Sequence, residues 1–81
     1  MKYHLYILEN LSRRHYIGIS ADMTSRLKYH NGGKVKSTKA YRPWRIVYTE
    51  EFKDRALARR REVLLKTNFT QRNKILEDLK K

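Results

Sequence analysis

Aromatic and aliphatic residues open the chain. From Lys2 to Leu8 the run is rich in Tyr, Leu and Ile, which favour a pleated, half-buried surface. Polar residues from Glu9 to Arg13 interrupt it, and His15 to Ser20 resumes it, so the pattern predicts two strands joined as a hairpin. Gly18, inside the second strand, allows close approach of a neighbouring backbone or ligand. The period then changes from two to about four. Ser20 and Asp22 are both good helix N-caps, and Met23 and Leu27 share one stripe, which predicts a short helix from Met23 to His30 ending before Asn31-Gly32-Gly33. The glycines open a basic loop, Lys34 to Arg42, that Pro43 closes. Trp44 to Glu50 predicts a third strand built around Ile46, Val47 and Tyr48. Asp54 then caps a longer helix whose apolar stripe is Leu57, Ala58, Leu64 and Leu65, with Arg59, Arg60 and Arg61 solvating the rest. Thr70 caps a final helix in which Ile75, Leu76 and Leu79 pack inward, while Lys80 and Lys81 fray. The predicted order is ββαβαα, an α/β (α+β) fold. Its small three-stranded antiparallel sheet needs helices over one face to be stable.

Composition narrows the partners. At 81 residues, with no repeat, low-complexity tract or linker, the chain reads as a single domain over 1–81 whose core comes from a few well-packed elements. The absence of Cys excludes disulfides and Cys-built metal sites, leaving oxygen and imidazole as metal ligands. Lys and Arg number 20 against 8 Asp and Glu, a formal charge of +12, which points to a polyanionic partner. Nucleic acid is favoured over a membrane surface because the charge is spread along the chain and no segment joins it to a long apolar face. No run approaches the roughly 20 apolar residues of a membrane span, and the N-terminus lacks a signal pattern, so the expectation is an intracellular, cytoplasmic protein with no membrane partner.

Two tyrosine tripeptides, Tyr6-Ile7-Leu8 and Tyr16-Ile17-Gly18, lie ten residues apart, with Arg26 and then His30 beyond them. In the order Tyr3-His4-Leu5-Tyr6-Ile7-Leu8, Tyr16-Ile17-Gly18-Ile19-Ser20, Arg26-Leu27 with His30-Asn31, Tyr41-Arg42-Pro43 before Ile46-Val47-Tyr48, and Arg60-Arg61-Glu62 before Leu65-Lys66, five segments resemble a GIY-YIG nuclease domain. The likeness covers nearly the whole chain and is to the small stand-alone, excision-repair-nuclease-like members. His4 and Leu5 stand where the family has the glycine and isoleucine of its name. Asn68 and Asn73 are both candidates for the family's late asparagine.

The resemblance implies a metal-dependent endonuclease that nicks DNA with low sequence specificity, of use in repair or recombination. Phosphodiester hydrolysis needs an activated water, charge stabilisation on the phosphoryl oxygens and help for the leaving oxygen. Tyr16 is the candidate general base, with a nearby cation favouring its phenolate, and Tyr6 on the adjacent strand orients the water or shares that role. Each could instead be a core aromatic. Arg26 and His30, four residues apart, project from one helix face and together can grip a phosphate; His30 can also assist proton transfer. The alternatives are a surface arginine and a helix-terminal histidine interacting with the dipole. Glu62 is the metal ligand that the resemblance implies, at the margin of the apolar stripe, for Mg²⁺ or Mn²⁺ completed by water and phosphate oxygens. Its alternative is a surface carboxylate pairing with Arg59 or Lys66. Glu50 and Glu51 are weaker ligand candidates, and His4 and His15 read as structural or surface residues.

Lys34, Lys36, Lys39 and Arg42, interleaved with Tyr41 and Trp44, combine phosphate-seeking charge with rings that can stack on a base or anchor the loop; for Trp44 the anchor is favoured. The expected partner is DNA, branched, flapped or damaged, with a targeting protein supplying selectivity. The competing function is a nucleic-acid-binding module that keeps the nuclease fold without turnover. A third, docking on an acidic protein, has only the charge in its favour.

Overall fold

The computed structural model describes residues 2–79, so the expected fraying of Lys80 and Lys81 lies outside the described residues. The elements in chain order are β1 (Tyr3–Asn10), β2 (His15–Ser20), α1 (Met23–Asn31), α2 (Lys36–Lys39), β3 (Trp44–Phe52), α3 (Arg55–Thr67) and α4 (Phe69–Leu79). The predicted hairpin forms, with β1 and β2 antiparallel from His4↔Ser20 to Glu9↔His15. Asn10 builds its turn: the side-chain oxygen accepts from the backbone N–H groups of Ser12 at 3.1 Å and Arg14 at 2.8 Å, while Arg13 takes the left-handed φ of 64°.

Strand β3 returns antiparallel along the other edge of β1, giving the sheet order β2-β1-β3. A register shift between Ile7↔Tyr48 and Leu8↔Ile46 bulges Val47 out of the ladder. The first strand of the sequence is therefore the central strand of the sheet, and Leu5 to Asn10 are all buried.

Alternation along β1 feeds two cores. Leu5 and Ile7 face Ile17 and the helical residues Leu65, Ile75 and Leu76; Tyr6 and Leu8 face the opposite way, against Trp44, Met23 and Leu27. The sequence predicted helices over one face, and the structure covers both: α3 and α4 on the first, α1 on the second. A continuous apolar run in β1 requires this, since each fully buried Leu or Ile contributes about 1.5–3 kcal/mol only when removed from water.

The helix boundaries follow local chemistry. Asp22 caps α1 by accepting from the Ser25 N–H at 3.1 Å, and Asp54 caps α3 by accepting from the Leu57 N–H at 2.9 Å. Helix α1 ends in a Schellman motif: the Gly33 N–H bonds the His30 carbonyl, the Lys34 N–H bonds the Tyr29 carbonyl, and Gly33 adopts φ 76°. Further expectations are corrected. The basic loop contains the short helix α2. Helix α4 starts at Phe69, and Asn68 rather than Thr70 caps it, its side-chain oxygen accepting from the Gln71 N–H at 3.1 Å. In α3 the buried stripe is Ala58, Glu62 and Leu65, whereas Leu57 and Leu64 are 39% and 37% exposed; Leu79 of α4, expected inside, is 41% exposed. A three-stranded sheet is too narrow to cover more than a thin stripe of each helix.

Candidate active site

The cluster begins at the centre of the sheet, where Tyr6 of β1 lies directly across from Gly18 of β2. Partners across a ladder share a face, so the phenol lies over a position with no side chain. A Cβ on Gly18 would stand 2.5 Å from the Tyr6 hydroxyl oxygen, 2.6 Å from Cζ and 3.1 Å from Cε1 of Tyr16. The close approach expected at this glycine is thus made by a side chain.

His30, at the end of α1, is fully buried against Tyr6. Its Nε2 is 3.0 Å from the Tyr6 hydroxyl and its Nδ1 is 2.9 Å from Thr38 Oγ1. The Thr38 hydroxyl donates to the Val35 carbonyl, so it must accept from Nδ1–H. Nε2 is then the bare nitrogen and accepts the Tyr6 proton. Burial and the charge of Arg26 both lower the His30 pKa, which keeps the ring neutral as this network requires. Trp44 fixes Thr38 in turn, its indole N–H donating to the Thr38 carbonyl at 2.9 Å. Asn31 brackets the Trp44 backbone, accepting from its N–H at 2.7 Å and donating to its carbonyl at 3.0 Å. The buried Trp44 therefore anchors the basic loop.

Arg26, one turn before His30, interacts with the Tyr6 hydroxyl oxygen, which reinforces its positive charge. Burial raises the Tyr6 pKa, outweighing the opposing pull of Arg26, so Tyr6 stays a protonated donor. Tyr16 on edge strand β2 is half-buried, with its ring 4.8 Å from that of His30 and 6.5 Å from that of Tyr6. Lys66 Nζ sits 5.8 Å over the Tyr16 ring.

Glu62 reaches the cluster from α3 and is only 6% exposed, at the middle of the buried stripe rather than its margin. Both pairings open to it from the sequence occur: Oε1 meets the Arg59 guanidinium at 2.6 Å and Oε2 meets Lys66 Nζ at 3.1 Å. Its charge is felt at Tyr6, where it acts to raise the phenol pKa. Each carboxylate oxygen keeps a second acceptor direction. Among the described residues, no group of three or more His, Cys, Asp or Glu side chains gathers to hold a metal.

The other carboxylates are engaged elsewhere. Glu50 takes two bonds from Arg61, at 2.9 and 3.0 Å, and one from Tyr48; burial opposes its ionisation, but these donors hold its pKa below the usual value. Glu51 pairs with Lys2 at 2.9 Å, and His4 lies 3.5 Å away. His15 pairs with Glu9 at 3.0 Å, and Arg45 holds the other Glu9 oxygen at 2.7 Å. Lys34, Lys36, Lys39 and Arg42 are exposed on the loop that carries Thr38, and the Arg42 Nε donates to the Lys39 carbonyl at 2.8 Å. Tyr41 is exposed, with Arg14 stacked 4.1 Å from its ring centroid.

A groove of about 410 Å³ opens beside Tyr16, between β2 and α4, lined also by Lys66, Phe69, Arg72, Asn73 and Leu76. Of the two late asparagines, Asn68 is occupied as a cap and Asn73 lines this groove. Thr38 and the groove residues Phe69 and Arg72 were not singled out by the sequence. No local pattern marks a threonine as the partner of a histidine eight residues earlier.

Two phenols, a neutral imidazole, a guanidinium and a buried carboxylate on this sheet define a class. A model of the GIY-YIG catalytic domain matches residues 2–75, and the chain belongs to the GIY-YIG family, a family of nuclease domains. Within it the chain is similar to UPF0213 proteins. That of Staphylococcus haemolyticus is 36% identical over 75 residues, covering 91% of this chain and 90% of the relative. That of Streptococcus pneumoniae serotype 4 is 39% identical over 66 residues, covering 80% and 67%. The solution NMR structure of a UPF0213 protein from Bacillus halodurans superposes with a TM-score of 0.59 at 33% identity, over 99% of this chain and 86% of that one. Among the described residues, no helix is long and apolar enough to cross a membrane.

Proposed function

We propose that this chain is a divalent-metal-dependent endonuclease that nicks DNA with low sequence specificity. The observation that carries this is the gathering, from four separate elements, of Tyr6, Tyr16, Arg26 and His30 around one sheet face with the Glu62 charge felt at Tyr6, Tyr16 also lining an open groove. Tyr16, which also lines the groove, acts as general base toward the attacking water. Tyr6 and His30 form the buried pair behind it: Nε2 of His30 is the acceptor that fixes the Tyr6 hydroxyl, and Thr38 fixes the imidazole. Arg26 carries a permanent charge to the phosphoryl oxygens, where negative charge grows in the transition state. Glu62 offers a hard oxygen ligand suited to Mg²⁺ or Mn²⁺, with water and phosphate oxygens completing the shell. The ion, when bound, supplies Lewis-acid stabilisation of the phosphoryl and leaving oxygens. Lys34, Lys36, Lys39 and Arg42 track the DNA backbone, and Asn73 contributes a neutral polar group at the groove wall. Repair or recombination, with a targeting protein choosing the DNA structure, is the setting in which so unspecific a nuclease is useful.

The test is cleavage of end-labelled duplex, flap and single-stranded DNA with Mg²⁺, Mn²⁺ or chelator. Metal-dependent products are expected from the wild type, with a loss of at least about a hundredfold in Arg26→Ala and Glu62→Ala variants that still bind DNA. Full activity in both variants sinks the proposal. Binding without turnover is favoured by one observation, the pairing of Glu62 with Arg59 and Lys66. DNA affinity with no product under any metal would establish it.

A further inference from the structure

We propose that the groove between β2 and α4 is a nucleobase subsite, in which Phe69 and Arg72 stack an unpaired base of the strand whose backbone lies at Tyr16. This rests on the nuclease reading and adds what its site takes. Phe69 is 65% exposed at the first turn of α4, next to a groove that also holds Tyr16. The Arg72 guanidinium lies over the Phe69 ring, 4.7 Å from its centroid. The cation orients the ring before any ligand arrives, and its own plane is a second stacking surface. A volume of about 410 Å³ falls in the range of small-ligand sites.

The chemistry selects the ligand. Arg72, with Lys66 held in its pairing with Glu62, lends the groove positive charge, matching a phosphate-linked partner. In a duplex the base faces are stacked on one another and only their edges reach a protein, so a ring presented beside the reacting phosphate can meet a base face only where the base is unpaired. Stacking is tolerant of base identity, in keeping with the low sequence specificity expected of the chain. The ligand is thus a nucleotide of a single strand or a frayed end, its base in the groove and its phosphate toward Tyr16.

The experiment compares, in chelator, the binding of oligo(dT) with that of a strand of equal length made of abasic residues. The phosphates are equal in number, so the charge contribution cancels. The wild type should prefer the base-bearing strand about tenfold; Phe69→Ala should abolish the preference, and Phe69→Trp should retain it. Phe69 is exposed, so the variants fold. Equal affinity of the wild type for both strands, or an unchanged preference in Phe69→Ala, overturns the subsite. So does a wild-type dimer in sedimentation that Phe69→Ala dissociates, since a second copy would then be what covers the ring. The two proposals fail separately. Cleavage with no base preference leaves the nuclease and removes the subsite. A Phe69-dependent preference without cleavage under any metal keeps the subsite and removes the nuclease.

Discussion

Tyr6 and His30 show how one missing side chain arranges a site. The phenol occupies the space that a Gly18 Cβ would fill, and from there it donates to a histidine whose tautomer Thr38 has set. A methyl at Gly18 forces the ring to move, because the atoms it meets belong to Tyr6 held between a sheet and a helix. Gly18→Ala should lose about 1–3 kcal/mol of stability by overpacking and, in cleavage assays, about a hundredfold in rate by breaking the Tyr6–His30 alignment. Unchanged cleavage would show that the alignment is not needed. His30 also ties the site to pH. Its folded pKa lies below the ordinary value of 6.5, so below that pH the unfolded chain binds more protons than the native one. The stability from neutral His30 is fully present above about pH 6.5 and is lost as pH falls through the folded value. Urea unfolding between pH 5 and 8 should show this decline in the wild type and a smaller one in His30→Gln.

At the scale of elements, α3 and α4 meet at a single residue with two duties. The Asn68 N–H closes α3 on the Leu64 carbonyl at 2.7 Å, while its side chain caps α4. Asn68→Ala should therefore cost about 1 kcal/mol in thermal unfolding. Fraying of the first α4 turn would also loosen Phe69 and Arg72, which stand in it. A variant as stable as the wild type would show that packing of Ile75 and Leu76 alone holds the helix. The loop between α1 and β3 is held in the same economical way, since Asn31 and Trp44 tie its two ends together and leave its lysines free to face solvent.

For the whole molecule, charge decides the encounter with DNA. A formal +12 on 81 residues gives binding that releases counterions, so log K should fall linearly with log[salt]. Each phosphate contact adds about 0.9 to that slope on duplex DNA, and a Lys36→Ala, Lys39→Ala double variant should reduce it by about 2. Titration by fluorescence anisotropy over a range of salt measures the slope, and an unchanged slope would place the DNA path away from α2.

By itself the sequence determined the hairpin, the cap at Asp54 and a choice of Ser20 or Asp22 for that of α1, the order of strands and long helices along the chain, and the sharing of one α1 face by Arg26 and His30. These depend on neighbours a few residues apart, and such geometry is written in local periodicity. Only the tertiary structure decided which stripe of α3 is buried. Leu57, Ala58, Leu64 and Leu65 all carried the hydrophobic signal, yet the narrow sheet takes only Ala58 and Leu65 and buries Glu62 with them, a choice that brings the carboxylate's charge to bear on Tyr6. It also decided that β1 is central, that helices cover both faces, and that Thr38 meets His30. The Tyr6–His30 bond spans 24 positions and crosses from strand to helix. No period of two or 3.6 encodes a contact of that kind; it exists only once the sheet has set the two elements face to face.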